Sequence, residues 1–508
     1  MPTNLKNLLA AGAEGNAAIA APGRRALTHS GLRKLVDSSV ESLNAMGVGR
    51  NDRVAIVLGN GPEMATCYLA CAAGTTSAPL NPAYRGEEFE FYLSDLGSKV
   101  LIVEQKSESS AIEVAVKLGV RIVDLVVDEG AAAGEFRLVA RAGQAVCGAA
   151  ANGGYSQPGD VGMVLHTSGT TSRPKIVPLT VANLCASAAN ICSTLQFTAK
   201  DVGLNIMPLF HIHGLIAGVL APISAGSAVF CTPGFNALKF FVWMDEARPT
   251  WYTAVPTMHQ AIVQRAKGNA ETIARNPLRF LRSSSSSMPP QVIRELEAIF
   301  DAPLIEAYGM TEATHQMASN PLPPLARKPG SVGRPAGPEI AIMDEGGALL
   351  AAGEVGEIVI RGPNVTAGYE NNPKANEDGY SNGWFRTGDQ GSQDADGYLS
   401  LTGRLKEIIN RGGEKISPRE IDELLMDHPA VAQTVCFGMP HPKLGEEVAA
   451  VVVLKEGSVA TEREIQEFVA KRVADYKVPK KILFMDEIPK GATGKLQRIG
   501  LAAKLGLH

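Results

Sequence analysis

Short apolar runs that alternate with helical spacing constrain this chain more than any other feature. SGLRKLVDSSVESLNAMG carries apolar residues at helical intervals, RVAIVLG is a short buried-strand run, and KVLIVE and RIVDLVVD repeat the strand type. Strands separated by helices over roughly the first 130 residues need crossover connections and predict a parallel, doubly wound sheet. AGQAVCGAAANGGYSQPGD, rich in Gly, Ala and Pro, reads as a surface connection. A second α/β unit is expected from VGMVLHTSGTT through MPLFHIHG to RFLRSSSSSMPP and LIEAYGMTEA. From about Lys328, short strands with Gly/Pro turns (GSVGRPAG, EIAIMDEGG, GEIVIRG) predict a β-rich subdomain. The last boundary falls at Gly403-Arg404-Leu405-Lys406 and leaves about 100 residues of mixed helix and strand pattern, enough for a separate α+β domain. The expectation is an α/β multidomain chain. Residues 1–403 form a large N-terminal domain of two doubly wound α/β subdomains plus a β-rich subdomain, 404–406 a hinge, and 407–508 a small α+β C-terminal domain.

Of 508 residues, 45% are hydrophobic, ample for several cores, and 48 basic against 52 acidic side chains give a net charge of −4. Bulk binding to nucleic acid or acidic lipid is not favoured by that balance. The seven cysteines (Cys67, Cys71, Cys147, Cys185, Cys192, Cys231, Cys436) show no C-x-x-C pair and no metal-ligand spacing, so they read as reduced thiols of a cytosolic protein. MPTNLKNLLAAGAEG lacks the pattern of an export signal, and the C-terminal Gly-Leu-His does not match the Ser-Lys-Leu peroxisomal address. The apolar stretch Leu215 to Phe230 is shorter than the ~20 residues a membrane span needs and contains Pro222. A soluble, cytoplasmic protein is expected.

HTSGTTSRPK, His166 to Lys175, follows the apolar run VGMVL. Backbone N–H groups and hydroxyls of Thr167, Ser168, Gly169, Thr170 and Thr171 suit phosphate oxygens, and Lys175 adds positive charge. The Walker pattern is absent here and at GATGKL, which argues against a P-loop NTPase. Taken alone, the loop could be a turn with no ligand. Between Lys471 and Lys504 nine basic residues face three acidic ones, an excess that polyanionic ligands would explain.

TSGTTSRPK, YGMTEA, FRTGD, GRLKEIINRGGEKISP and PKGATGK occur in that order, and together they resemble the adenylate-forming superfamily of acyl-CoA synthetases, luciferases and nonribosomal-peptide adenylation domains. The resemblance covers nearly the whole chain. It implies a C-terminal domain that moves about a hinge, and ATP-dependent activation of a small carboxylic acid followed by transfer to CoA. By resemblance Tyr308 and Gly309 lie at adenine with Ser286 nearby, Thr311 contacts phosphate, and Glu312 helps hold Mg²⁺. Asp389 accepts the ribose hydroxyls with Arg404 beside it. Lys495 bridges the charge that builds on phosphorus and acyl oxygens during adenylation, stabilising the transition state more than the ground state. Lys406 matches the hinge, and Gly412 and Gly413 approach the pantetheine arm of CoA, where only glycine permits close backbone contact. Read singly, Tyr308 is a core aromatic, Glu312 and Arg404 are surface charges, Asp389 is a turn residue, Lys495 is a solvated lysine and the glycine pair is a tight turn.

TEATHQMASNPLPP and the TSRPK variant of the phosphate loop, with Ser172 where most relatives have glycine, resemble the oxalate-activating branch. A second carboxylate, if buried, must be paired or hydrogen-bonded. His211, His213, Ser287 and His315 are the expected donors, His315 foremost: protonated histidine adds charge complementarity, and even neutral imidazole donates one N–H, while read singly the histidines are structural or gate the acyl site and Ser287 packs by adenine. Malonate, a medium-chain fatty acid or an aromatic acid remain alternatives, as does a nucleotide-binding protein without turnover. Ile176 stands where glycine usually follows the loop lysine, which leaves the backbone path there open.

Overall fold

A computed structural model describes residues 3–144, 148–167, 174–489 and 498–507. The strands anticipated from RVAIVLG, KVLIVE and RIVDLVVD form as Arg53–Val57, Val100–Glu104 and Arg121–Val126. With Thr76–Pro79 and Val161–His166 they make the parallel centre of a seven-stranded sheet, flanked by antiparallel Arg137–Ala140 and Ile176–Thr180. The crossovers are the helices Pro62–Gly74, Gly86–Leu96 and Ala111–Leu118. Pro62–Gly74 (PEMATCYLACAAG) is buried almost all round, because it lies between this sheet and the next, touching strands of both.

The second sheet has nine strands, in the order Arg334–Pro335, His315–Ser319, Leu304–Met310, Phe280–Ser283, Trp251–Ala254, Val202–Asn205, Ala228–Cys231, Ala17–Ala21 and Arg24–Thr28. Its interior is parallel. Two assignments made from sequence need correction. The run VGMVLH does not open the second unit; it joins the first sheet, where Met163 pairs with Ser77. Conversely the hairpin 17–28 leaves the first unit and completes the second sheet, Ile19 pairing with Val229. Both strands are locally unremarkable, and only pairing across long sequence separation decides which sheet they enter.

A five-stranded antiparallel sheet follows, built from Glu339–Met343, Val355–Arg361, Tyr380–Ser381, Trp384–Gln393 and Leu399–Arg404. The last part is a sheet of Ile409–Arg411, Glu414–Ile416, Val431–His441, Gly445–Leu454 and Lys481–Phe484 with the helices Pro418–Met426 and Glu462–Ala470. Its two apolar cores contain only residues from Ile409 onward. The chain is thus a large N-terminal α/β domain followed by a small α+β domain. Leu215 to Phe230 divides among a π-helix (His213–Leu220), a short helix (Ala221–Ser224) and a strand, and no helix among the described residues is long and apolar enough to cross a membrane.

Candidate active site

The candidate residues gather beyond the carboxyl ends of the parallel strands Val202–Asn205, Trp251–Ala254, Phe280–Ser283 and Leu304–Met310, where open α/β sheets bind ligands. Leu304–Met310 carries YGM to its end, a 3₁₀ turn (Thr311–Ala313) reverses the chain, and His315–Ser319 returns antiparallel. The two strands approach so closely at Gly309 that a Cβ there would sit 1.7 Å from the His315 carbonyl oxygen. Thr314 (φ 50°) and His315 (φ 90°) adopt left-handed conformations that cost non-glycine residues about 1–3 kcal/mol and persist where surrounding contacts impose them. Those contacts are present. Ser187 Oγ donates to the Thr314 carbonyl, Thr314 Oγ1 donates to the Asn364 carbonyl (2.7 Å), and Asn364 Nδ2 donates to the carbonyls of Ala313 (2.8 Å) and Gln316 (3.0 Å).

On one side of this turn Asp389, buried, accepts two hydrogen bonds. Tyr308 donates its hydroxyl to Oδ2 (2.6 Å), and Arg404, exposed and opposite Asp389 in the strand register, donates Nε to Oδ1 (2.9 Å). Burial and then the Asp389 charge hold the Tyr308 phenol far above its ordinary range, so it stays a donor. Glu312, 6% exposed, accepts the Tyr369 hydroxyl (2.8 Å), and Lys175 Nζ lies 4.3 Å from the Tyr369 ring centroid. Burial pushes Glu312 up, opposed by the Tyr369 hydroxyl and the charges of Arg404 and Lys175. Tyr369 was not anticipated from the sequence. It follows the motifs at no fixed spacing, and only the fold brings it to Glu312.

The base of the phosphate loop is closed by Thr167 N to the Lys175 carbonyl (2.9 Å) and Lys175 N to Thr167 Oγ1 (3.3 Å). Ile176, in place of the usual glycine, starts the strand Ile176–Thr180 and is buried in the first sheet's core, so the backbone runs straight from the lysine into regular pairing. Ser168, Gly169, Thr170, Thr171 and Lys495 lie outside the described residues. Thr311 is half-buried at the head of the 3₁₀ turn. Lys406 is exposed in the 3₁₀ turn Leu405–Glu407. Gly412 (φ 59°) and Gly413 (φ 99°) form the exposed two-residue turn of a hairpin, a geometry that calls for glycine without any ligand.

On the other side of the turn the rings of His213 and His315 stack, centroids 4.9 Å apart and 18° between planes. Between and behind them lies Arg282, which the sequence reading passed over. It is fully buried on the strand Phe280–Ser283, with Nη1 3.2 Å from His213 Nε2 and Nη2 3.1 Å from His315 Nε2. A guanidinium can only donate, so both Nε2 atoms accept and the ring protons sit on Nδ1. That matches the neutral imidazole the sequence reading allowed, with one N–H to donate, and a cation stands behind the two rings in Arg282. His213 Nδ1 donates to Ser285 Oγ (3.1 Å), and Thr253 Oγ1 lies 2.7 Å from His213 Nε2. Ser285, not Ser287, is thus the serine bonded to the His213 ring; Ser286 and Ser287 are exposed further along the turn. His211 is half-buried, its Nδ1 accepting from the His213 backbone N–H (3.3 Å) just before the π-helix. π-Helical turns concentrate at functional sites. A largely apolar cavity of about 190 Å³ is lined by Leu58, Leu80, Phe210 and Phe235 among others, and none of the candidate residues lines it.

The family model described as AMP-binding enzyme matches residues 9–370, and the AMP-binding enzyme C-terminal domain matches 420–495. The chain belongs to this adenylate-forming family and is an acid–thiol ligase. It is 46% identical to the oxalate–CoA ligase of Arabidopsis thaliana over 95% of this chain and 94% of that one. The oxalate–CoA ligase of Saccharomyces cerevisiae is 42% identical, with 89% and 86% covered. Among solved structures, ATP-bound MatB from Rhodopseudomonas palustris superposes with a TM-score of 0.87 at 28% identity, covering 99% of both chains.

Proposed function

We propose that this enzyme joins a small polar acid, oxalate by preference, to CoA at the expense of ATP, releasing AMP and pyrophosphate. The observation that carries the choice of acid is the polar group of buried His213 and His315 with half-buried Ser285 beside the Thr311–Ala313 turn. The hydrocarbon of a fatty or aromatic acid gives such polar groups nothing to hydrogen-bond, whereas the second carboxylate of a two-carbon diacid offers acceptors. The oxalate–CoA ligases among the relatives favour the same reading.

In the first step a carboxylate oxygen of the acid attacks the α-phosphorus, forming the acyl-adenylate as pyrophosphate leaves. Tyr308 offers adenine a ring face, and Asp389, oriented by Tyr308 and Arg404, accepts from the ribose hydroxyls. Thr167, Ser168, Gly169, Thr170, Thr171, Thr311 and Lys175 take the phosphates. The buried Glu312 carboxylate, an oxygen donor, would hold Mg²⁺, which would supply positive charge to neutralise the triphosphate. Lys495 stabilises charge on the phosphorus and acyl oxygens. In the second step the CoA thiol attacks the acyl carbon and AMP leaves. That step needs Lys495 withdrawn, which rotation of residues 407–508 about the hinge 404–406 accomplishes, bringing Gly412 and Gly413 to the pantetheine arm. Unpaired cysteines, buried where described apart from half-buried Cys192, suit a reducing cytoplasm.

AMP release by the purified protein with ATP, Mg²⁺ and CoA, across oxalate, malonate, acetate, octanoate and benzoate, tests this reading. Preference for oxalate that is lost in His315→Ala is expected. Preference for octanoate or benzoate would discard the polar pocket, and ATP–pyrophosphate exchange undiminished in Lys495→Ala would remove the lysine from the mechanism.

A further inference from the structure

Arg282 is a buried cation without an anion. Its nitrogens face His213 Nε2, His315 Nε2, Thr253 Oγ1 (3.5 Å) and Gln316 Oε1 (3.4 Å), all neutral acceptors, and its Nε has no partner. No carboxylate among the described residues pairs with it, although buried arginines are ordinarily paired because an isolated charge in a low-dielectric interior is costly. Burial draws its guanidinium down to about 9, which still leaves it charged at neutral pH.

The surrounding framework keeps that charge in place. Thr253, Arg282 and Ile305 stand in one row across three parallel strands, and Gln316 is fixed from behind by donating Nε2 to Thr194 Oγ1 (3.1 Å) and the Ala336 carbonyl (3.0 Å). Each imidazole turns its lone pair to the guanidinium and its N–H away, so the ring dipoles carry positive potential outward from Arg282. On the His213 branch the N–H is spent on Ser285 Oγ, which leaves the serine's own hydrogen for a further acceptor.

We infer that Arg282 is the charge-selecting residue of the acyl pocket: acting through His213, His315 and Ser285, it favours small acids that carry a second anionic group, carboxylate or sulfonate, over mono-acids of equal size. The inference rests on the proposed acyl pocket but not on oxalate being the acid. Arg282 is a positioning residue, acting through the groups it holds rather than as a reactant.

The test is the ratio of kcat/KM for oxalate to that for glyoxylate, a two-carbon acid with one charge, measured by pyrophosphate exchange in wild type, Arg282→Met and Arg282→Lys. Arg282→Met is expected to lower the ratio about 100-fold, and Arg282→Lys to restore about tenfold of it. A merely structural arginine would depress both substrates together, so a ratio within about threefold of wild type in folded Arg282→Met overturns the inference. If Arg282→Met shows no cooperative melting, wild type decides: equal turnover of diacids and their monomethyl esters overturns it, strong preference for the diacids supports it. Should wild type accept malonate or sulfoacetate but not oxalate, the oxalate reading fails and the charge selection stands. A mono-acid as best substrate overturns both.

Discussion

Asp389 accepts from two donors at once, and this makes its chemistry hard to replace. In Asp389→Asn, either orientation of the amide turns an NH₂ toward a donor, Tyr308 or Arg404. KM for ATP should rise about 100-fold and stability fall by about 2 kcal/mol, read from initial rates and denaturant unfolding. Glu306 supplies a pH dependence. It is buried on the strand Leu304–Met310, accepts the Gly330 N–H (3.0 Å), and faces Arg327 together with Arg419 and Glu423 of the small domain. Burial pushes it up to about 8 against roughly 4.3 for an unfolded chain, so its contribution is fully present below the unfolded value and lost as pH rises through 8. Thermal melts from pH 6 to 9 should show Tm falling in wild type and falling less in Glu306→Gln, which stays neutral throughout. Tyr308, Asp389 and Arg404 were legible in the sequence because each sits in a contiguous motif. Arg282 was not: a charged residue next to a serine run reads as exposed, and its histidines lie 69 and 33 positions away.

At the scale of elements, the reversal from Leu304–Met310 to His315–Ser319 serves both halves of the site. One strand ends with Tyr308 toward Asp389, the turn holds Glu312, and the return begins with His315 against Arg282. Gly309 permits this because its strand lies against the His315 carbonyl. Gly309→Ala should destabilise the fold by about 3 kcal/mol and weaken ATP and acid binding together, checked by denaturant unfolding and by KM for both substrates. Sequence periodicity located Arg53–Val57, Val100–Glu104 and Arg121–Val126 of the first sheet, since alternating helices and short apolar runs are local signals, and passed over Thr76–Pro79, Arg137–Ala140 and Ile176–Thr180. It misassigned VGMVLH because a strand buried on both faces carries no mark of its neighbours.

Across the whole molecule, the small domain has apolar cores of its own, and polar contacts among the described residues join it to the rest. Ser417 Oγ donates to the Thr402 carbonyl and Arg419 Nη1 to the Leu401 carbonyl (2.6 Å). Residues 407–508 expressed alone should therefore melt cooperatively, observable by circular dichroism. Within that domain Arg498, half-buried, is held by Asp422 (2.6 Å) and Glu407 (3.3 Å), so the segment from Arg498 onward is tied to the turn Leu405–Glu407. Asp422→Ala strips a half-buried cation of one partner and the Cys436 N–H of its acceptor, and should destabilise the isolated domain by about 1–3 kcal/mol in urea unfolding.

The hairpin 17–28 has a consequence for how the chain is made. Its strand Ala17–Ala21 pairs with Ala228–Cys231, which leaves the ribosome roughly two hundred residues later, a delay of roughly ten to forty seconds at ordinary rates of synthesis. The first sheet can assemble within that interval, since its last strand ends at Thr180. The hairpin must wait beside it, attached through the helix His29–Ala45 that packs on Pro62–Gly74, as an open edge that only the later half of the domain can close.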